Sequence, residues 1–405
     1  MFIVQVLRWL LLGIELLIAL SILYLCLVSF SALLAARRRR RRPAIFAPPY
    51  ARFALLIPAH NETAVIGKLL HSLTELSYPA EQFTVCVVAD NCTDTTADLA
   101  RASAGVRVYE RHDEQRRGKG FALQWLLEQL QRDGLTFDAY VILDADSVVD
   151  AAFLQALNHG LQGGARALQA HNAVLNVADS PATALRWLAL SLMNHVRPLG
   201  RNGLGGSSTL TGNGMCLSRA VLERYPWQAF ALAEDYQYYL TLVQHGEKVI
   251  YMPEALVRSE MPVTFEQMRT QDIRWESLQG TPPTWKTAWR LLQAGLRRRS
   301  FLCLEALGEF LVPSLSYLIA GCFLALLAAL LLWSWLDILV ACLLIAGLLF
   351  YGSSAFVLLR PPRMLFLALL SAPRFVLWKI WVVLVLRRRK KHQAEWVRTS
   401  RNQAS

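Results

Sequence analysis

Three stretches of the chain carry no charged residue and are long enough to cross a lipid bilayer as helices. They are Leu16–Ala36 with 21 residues, Leu311–Leu336 with 26 and Ile338–Leu359 with 22. A helix rises 1.5 Å per residue, so about 20 apolar residues cross a hydrocarbon core about 30 Å thick. A buried helix of a soluble domain seldom runs so long without a charge, and a cleaved signal peptide has a shorter apolar stretch. We therefore predict three membrane spans.

The net charge of +12 is concentrated beside these stretches. Arg37–Arg42, Arg297–Arg299 and Arg387–Lys391 together supply fourteen positive charges, and each cluster flanks an apolar segment. Basic clusters next to spans favour the cytoplasmic side and attract anionic headgroups, so we expect the amino terminus outside and the residues after Ala36 inside. Nucleic-acid binding is not indicated, because no basic motif interleaved with aromatic residues is present.

Short apolar runs alternate with amphipathic stretches from Phe53 to about Gly160. The predicted strands are Phe53–Ile57, Thr84–Ala89, Val106–Tyr109 and Ala139–Leu143, and the predicted helices lie around Val65–Leu76, Thr95–Arg101 and Phe121–Leu130. Apolar strands separated by helices indicate a parallel sheet that is covered on both faces. The sequence therefore predicts a doubly wound α/β domain whose ligands bind at the carboxyl ends of its strands.

The fourth apolar run leads into two carboxylates, Asp144 and Asp146. Successive side chains of a strand point to opposite faces, so two Asp residues at this spacing share a face if the strand continues. Hard oxygen ligands suit a divalent cation that also carries a diphosphate, because Mg²⁺ takes few protein carboxylates and completes its shell with phosphate and water. An isolated Asp-x-Asp is more often a solvated turn or a helix cap, and this alternative stays open.

Polar residues also follow the first two predicted strands. The first is followed by Pro58-Ala59-His60-Asn61-Glu62, and Asp90 ends the second. Asp90 can accept hydrogen bonds from a base or a ribose hydroxyl, although it can also cap the next helix, as Asp94 can. Lys119 lies between two glycines at the predicted start of a helix, where a cation is placed to contact phosphate. A solvated basic loop explains Lys119 equally well.

Three segments further along the chain carry candidate ligand-binding groups. Asn202–Gly214 is rich in Gly, Ser and Thr, and either lets backbone approach a ligand or forms a flexible surface loop. Glu234 and Asp235 open a helical segment, where one of them is a candidate general base or both are partners of the helix dipole. Gln271, Arg274 and Trp275 follow. The Arg274 guanidinium offers a planar fork for phosphate and the Trp275 ring a stacking face. Alternatively, this segment is part of an amphipathic interfacial helix.

The ordered set of these motifs, closed by membrane spans, resembles membrane-integrated family 2 glycosyltransferases. This family includes cellulose, hyaluronan and poly-N-acetylglucosamine synthases as well as lipid-directed glucosyltransferases. The resemblance covers about Phe53 to Trp275 and implies a Rossmann-like GT-A domain with inversion at the anomeric carbon. One departure is Ala89, where many members carry an additional Asp.

The resemblance also implies a role for each motif residue. Asp90 contacts the nucleoside, Lys119 the diphosphate, and Asp235 deprotonates the acceptor hydroxyl. The other implied site residues are Asp144 and Asp146 as ligands of Mg²⁺ or Mn²⁺, Pro58, Ala59, Asn61, Glu62, Asp144 and Glu234 in the substrate site, and Gln271, Arg274 and Trp275 around the diphosphate and the acceptor end.

The sequence also predicts how the chain is divided. The predicted units are an amino-terminal span (1–36), a basic and Pro-rich linker (37–52), a cytoplasmic GT-A domain (53–280), interfacial helices (281–310), a transmembrane hairpin (311–359), and an interfacial or re-entrant helix with a basic cytoplasmic tail (360–405). The last apolar stretch is not counted as a span, because a basic run follows it and would then lie outside. We expect a multi-pass protein of the inner membrane.

Two enzymatic functions fit this organisation, and we expect the first of them. The first is transfer from a nucleotide-sugar, with a UDP-sugar favoured, to a growing polysaccharide at the inner membrane. The second is transfer of one sugar to a membrane lipid. Three spans are few for a polymer channel, so the first function calls for an oligomer or an export partner. A third interpretation is a nucleotide-sugar-binding subunit without catalysis.

Overall fold

The computed structural model describes residues 2–41, 48–231, 233–263, 285–361 and 363–371. Its strands are β1 Phe53–Ala59, β2 Phe83–Asp90, β3 Val106–Arg111, β4 Ala139–Ile142, β5 Ser147–Val149, β6 Ala167–Val174, β7 Met215–Ser218 and β8 Val249–Ser259. Its helices are α1 Phe2–Arg41, α2 Ile66–Thr74, α3 Thr96–Arg101, α4 Lys119–Arg132, α5 Phe153–Gln162, α6 Pro181–Ser191, α7 Arg197–Gly203, α8 Arg219–Arg224, α9 Glu234–Gln244, α10 Trp285–Arg297, α11 Phe301–Leu311, α12 Leu315–Leu331, α13 Trp335–Leu358 and α14 Arg363–Ala368.

The eight strands form one sheet in the order β3-β2-β1-β4-β7-β6-β8-β5. The first four strands are parallel, which confirms the predicted parallel sheet. The chain then departs from that pattern, because β7 is antiparallel to both β4 and β6, while β8 runs parallel to β6. β5 pairs antiparallel with β8 at the far edge. The domain is therefore a mixed sheet with a parallel half and an irregular half.

Helices cover both faces of the sheet. Along β1, Phe53, Leu55 and Ile57 face one core and Ala54 and Leu56 face the other, as the period of a strand requires. The first core also contains the apolar faces of α2 and α5, and the second contains those of α4 and α9. Burial on both faces explains why these strands are almost continuously apolar.

Two helices in the described part of the chain are long and apolar enough to cross a membrane. They comprise Gln5–Arg41 and Trp335–Leu358, and a third candidate exists if α11 and α12, which meet at an angle of 61°, are counted as one bent span. The predicted segment Leu311–Leu336 is thus interrupted at both ends, since the helix within it covers only Leu315–Leu331. Pro313 lacks a backbone N–H and limits the conformations of its neighbour, which accounts for the first interruption.

Helix α1 connects the apolar helices to the sheet domain through close backbone contacts. A Cβ atom at Gly200 of α7 would lie 2.0 Å from the Val28 carbonyl oxygen, so only glycine fits there. Ser31 Oγ donates to the Gly200 carbonyl over 2.9 Å. A Cβ atom at Gly347 of α13 would lie 2.5 Å from the Ile22 side chain. Helix α1 is therefore packed between α7 and α13.

Candidate active site

The two predicted metal ligands lie in a turn directly after β4. The strand ends at Ile142, earlier than predicted, and the Ser147 N–H donates to the Asp144 carbonyl over 3.1 Å. The chain turns here because β5 pairs with β8 at the opposite edge of the sheet. Asp144 and Asp146 are half-buried, and Ala145 between them is buried. The two carboxylates are thus carried by one turn rather than by one strand face.

Lys119 begins α4 and reaches this turn. Its Nζ lies 2.5 Å from Asp144 Oδ1, donates to the Gly212 carbonyl over 2.6 Å, and lies 3.7 Å from Glu234 Oε1. Burial alone would lower the pKa of Lys119, but attraction to Asp144 and Glu234 outweighs it and raises the pKa above the ordinary value. Lys119 therefore stays positively charged at neutral pH.

Glu234 and Asp235 form the first turn of α9 and face the same centre. A Cβ atom at Gly212, whose φ is 76°, would lie 3.1 Å from Asp235 Oδ2 and 3.5 Å from Lys119 Nζ. Burial raises the pKa of Asp235, and the Lys119 ammonium opposes that rise. Burial, again opposed by Lys119, raises the pKa of Glu234 to about 7. The structure thus brings together one cation and three carboxylates from three separate elements.

Asp90 is paired with an arginine that the sequence analysis did not identify. Its Oδ1 accepts from Arg111 Nη1 over 2.6 Å and from Asn91 Nδ2 over 3.1 Å. Burial raises the pKa of Asp90, and the bond to Arg111 counteracts this effect. Arg111 ends β3 directly opposite Asp90 in register, two residues beyond the predicted end of that strand at Tyr109, so the predicted strand gave no signal for it.

The segment after β1 is joined to the segment after β2. Asn61 has φ 55°, and its Oδ1 accepts from the Thr93 N–H over 2.8 Å. The Glu62 N–H donates to Thr96 Oγ1 over 2.8 Å. Pro58 and Ala59 are the last two residues of β1, within the sheet. The roles of these residues in substrate binding stay predictions.

The remaining candidates concern the metal and the acceptor. Within the described ranges, no group of three or more His, Cys, Asp or Glu side chains is arranged to hold a metal ion. Two carboxylates on one turn nevertheless fit Mg²⁺ or Mn²⁺, since such ions take one or two protein carboxylates and share phosphate oxygens. Gln271, Arg274 and Trp275 lie outside the residues that the structure describes.

The fold and this cluster define a GT-A glycosyltransferase domain. A family model described as "Glycosyltransferase like family 2" matches residues 48–277. The protein therefore belongs to the family 2 glycosyltransferases, which transfer a sugar from a nucleotide-sugar. Among solved structures, the mannosyltransferase PcManGT from Pyrobaculum calidifontis, in complex with GDP-Man and Mn²⁺, aligns with a TM-score of 0.52 at 20% identity, covering 93% of this chain and 100% of that one. This similarity supports the GT-A fold.

The names of two proteins with similar sequences indicate different acceptors. A β-monoglucosyldiacylglycerol synthase of Synechocystis sp. is 27% identical over 275 residues, which are 66% of this chain and 56% of that protein. Glucomannan 4-beta-mannosyltransferase 1 of Cyamopsis tetragonoloba is 25% identical over 239 residues, or 56% of this chain and 44% of that protein. The chain spans about half the length of these relatives.

Proposed function

We propose that this protein is an inverting, metal-dependent enzyme that transfers one sugar from a UDP-sugar to a membrane lipid. The observation that carries the catalytic part is the cluster of Lys119, Asp144, Glu234 and Asp235 around the Gly212 backbone. It lies at the carboxyl end of β4, where ligands bind in open α/β sheets. The apolar helices packed on the same domain support a site beside a membrane.

The cationic part of the cluster assists departure of the nucleoside diphosphate. Breaking the sugar–phosphate bond develops negative charge on the diphosphate, and fixed positive charge in a buried site stabilises it. Lys119 supplies such a charge. Asp144 and Asp146 would hold Mg²⁺ or Mn²⁺, which adds Lewis-acid stabilisation of the same group. Lys119 contacts Asp144 directly, so the Lys119 ammonium and the proposed metal ion would both lie beside the Asp144 carboxylate.

The acidic part of the cluster activates the acceptor. A hydroxyl is a poor nucleophile at neutral pH and needs a positioned base. Asp235 takes this role in our proposal, because burial raises its pKa toward the working range of a general base while Lys119 keeps the carboxylate form accessible. Glu234, on the same turn, contacts Lys119 and helps to hold that ammonium in place. Attack opposite to the leaving diphosphate inverts the anomeric carbon.

A lipid acceptor is favoured over the polysaccharide that we expected first. The described residues provide two apolar helices of sufficient length, or three with the bent pair, which is few for a channel around a hydrophilic polymer. The similarity to the β-monoglucosyldiacylglycerol synthases supports the same choice. Polysaccharide synthesis is the second candidate, supported by the similarity to the glucomannan mannosyltransferases, and would require further copies or an export partner. The clustering of Asp144, Glu234 and Asp235 around Lys119 speaks against a non-catalytic subunit.

Product analysis of the reconstituted enzyme tests this proposal. The full chain in nanodiscs that contain diacylglycerol is supplied with a panel of UDP- and GDP-sugars and with Mg²⁺ or Mn²⁺. We expect one UDP-sugar to release nucleoside diphosphate and to yield a lipid that carries a single sugar. A long polymer from any donor would contradict the lipid assignment. No release from any donor, with or without metal, would contradict the enzymatic function.

A further inference from the structure

We infer that Asn213 is a positioning residue that holds the turn Asp144–Ser147, which carries Asp144 and Asp146, in its metal-binding shape. The inference deepens the proposed function and rests on it for the role of the turn. Asn213 belongs to the Gly-, Ser- and Thr-rich segment that the sequence analysis could not assign. It is 1% exposed, which sets it apart from a flexible surface loop.

The Asn213 side chain contacts both ends of the turn. Its Oδ1 accepts from the Asp144 backbone N–H over 3.2 Å. Its Nδ2 donates to Ser147 Oγ over 2.9 Å and to Ser259 Oγ over 3.1 Å. One amide group thus bonds to the first and last residues of the turn and also to the end of β8.

Only an amide satisfies these partners together. The Asp144 N–H needs an acceptor, whereas the two serine hydroxyl oxygens accept hydrogen bonds and need a donor. An asparagine side chain offers both an acceptor and a donor. The groups are buried: Ser147 is 0% exposed and Ser259 is 7% exposed. A buried polar group that loses its partner is left without compensation for the water it gave up on folding. The turn is therefore held by directional hydrogen bonds from Asn213, which an apolar side chain at this position would not replace.

The Asn213 backbone is itself fixed to the sheet. Gln169 Nε2 donates to the Asn213 carbonyl over 2.8 Å, and the Gly214 N–H donates to the Ile142 carbonyl over 2.9 Å. The preceding residue, Gly212, accepts from Lys119 and lies against Asp235. The same short loop thus sets the position of the carboxylate turn relative to the cation and the proposed base.

Two buried serines provide a matched pair of variants. Ser147→Ala removes the bond between Asn213 and the far end of the turn, whereas Ser259→Ala removes an equivalent bond outside the turn. Each variant loses one bond from Asn213 Nδ2 and the same Ser147–Ser259 contact of 3.3 Å. A general loss of stability therefore affects both variants alike, and only the turn distinguishes them. Asn213→Ala releases both ends.

Hydrogen exchange and metal binding are measured on the full chain in nanodiscs. We expect Ser147→Ala to speed amide exchange in a peptide covering 143–148 about tenfold relative to Ser259→Ala, and Asn213→Ala to speed it further. Titration with Mn²⁺ in saturating UDP, followed by electron paramagnetic resonance, is expected to give a Kd about tenfold higher for Ser147→Ala and a change within about twofold for Ser259→Ala.

Equal exchange in the two serine variants would overturn the inference, as would an unchanged Mn²⁺ Kd in Ser147→Ala when the wild type binds the ion. A wild type that binds no Mn²⁺ with UDP, or with GDP in a parallel series, contradicts the proposed metal dependence instead. In that case the exchange comparison decides the inference about Asn213, because it does not depend on metal.

Discussion

The Lys119 ammonium lies between three acceptor groups. Its ammonium contacts the Asp144 carboxylate, the Gly212 carbonyl and Glu234, so replacing it leaves acceptors that no longer have this donor. The same ammonium neutralises the leaving diphosphate in the proposed reaction. In that proposal, one side chain holds the resting arrangement of the site and also neutralises the charge that develops during transfer.

We predict that Lys119→Met lowers kcat by about 10²–10³ through loss of stabilisation of the leaving group. The measurement is the initial rate of nucleoside diphosphate release. Lys68→Met is the matched control, because Lys68 also forms a 2.5 Å ion pair, with Glu260, but is far more exposed. A kcat for Lys119→Met equal to that of the control would show that Lys119 does not act on the leaving group.

Glu234 provides a prediction about pH. Its pKa in the folded protein is raised from 4.5 to about 7, so its stabilising contribution is complete below pH 4.5 and is lost as the pH rises through about 7. Glu234→Gln should therefore raise the unfolding temperature relative to the wild type more at pH 8 than at pH 5. Glu128→Gln, on the exposed side of α4, is the control variant measured at the same two pH values. A pH-independent effect of Glu234→Gln would contradict the raised pKa.

At the scale of elements, a buried network of charged and tyrosine side chains joins four helices. Arg201 of α7 donates to Glu305 of α11 over 2.5 Å and to Tyr239 of α9 over 2.8 Å. Arg197, one turn earlier, donates to Tyr351 of α13 and to Glu309 of α11. Because α9 begins with Glu234 and Asp235, the apolar helices are connected to the proposed base through this network.

We predict that Arg201→Met destabilises the protein by about 3–5 kcal/mol, because it leaves the Glu305 carboxylate buried without its partner. Arg219→Met breaks an exposed pair with Glu223 and should change stability by about 0–1 kcal/mol. Unfolding of both variants is followed in detergent micelles by thermal denaturation. An Arg201→Met variant as stable as Arg219→Met would mean that the network does not hold α7, α9 and α11 together.

The strands that could be predicted are those whose apolar pattern is contained in one short stretch of the sequence. β1, β2 and β4 are short apolar runs buried on both faces, whereas β3 is a partly exposed edge strand, and the bounds of all four differ from the predicted ones by at most two residues. β5 has only three residues, too few to show a pattern, and β7 and β8 pair with β4 and β6, which lie far from them in the chain. For the Asp144 motif, the sequence left a turn and a strand face open, because the outcome depends on where β5 pairs.

Some residues of the candidate site could also be predicted from the sequence, and others could not. The charged residues of the cluster stand in recognisable motifs, so Lys119, Asp144 and Asp235 could be proposed from the sequence. Asn213 and Arg111 could not, because each is defined by a partner distant in the chain. Asn213 is 69 residues from Asp144, and Arg111 is 21 residues from Asp90.

At the scale of the whole molecule, α10 presents an exposed face that combines aromatic and basic side chains. Trp285 is 87% exposed and Trp289 is 59% exposed, while Leu291, on the opposite side, is buried against the sheet domain. Lys286 and Arg290 adjoin these tryptophans along the exposed surface. Such a face favours the interface between headgroups and acyl chains.

We therefore predict that lipids brominated near the headgroup quench part of the intrinsic fluorescence of the protein in nanodiscs through Trp285 and Trp289. The quenched fraction should fall in a Trp285→Phe, Trp289→Phe double variant. Trp227→Phe is the control, since Trp227 is 3% exposed within the sheet domain. An unchanged quenched fraction in the double variant would place α10 away from the membrane surface.

The central claim is that Asp235 is the base of a glycosyl transfer at this cluster, and one comparison tests it most directly. Nucleoside diphosphate release and nucleotide binding are measured for the wild type, Asp235→Asn and Asp133→Asn, an exposed acid at the end of α4. The account predicts that Asp235→Asn lowers kcat by about 10²–10⁴ while the Kd for nucleotide stays within about twofold, with no effect from Asp133→Asn. Turnover by Asp235→Asn at the rate of Asp133→Asn would contradict it.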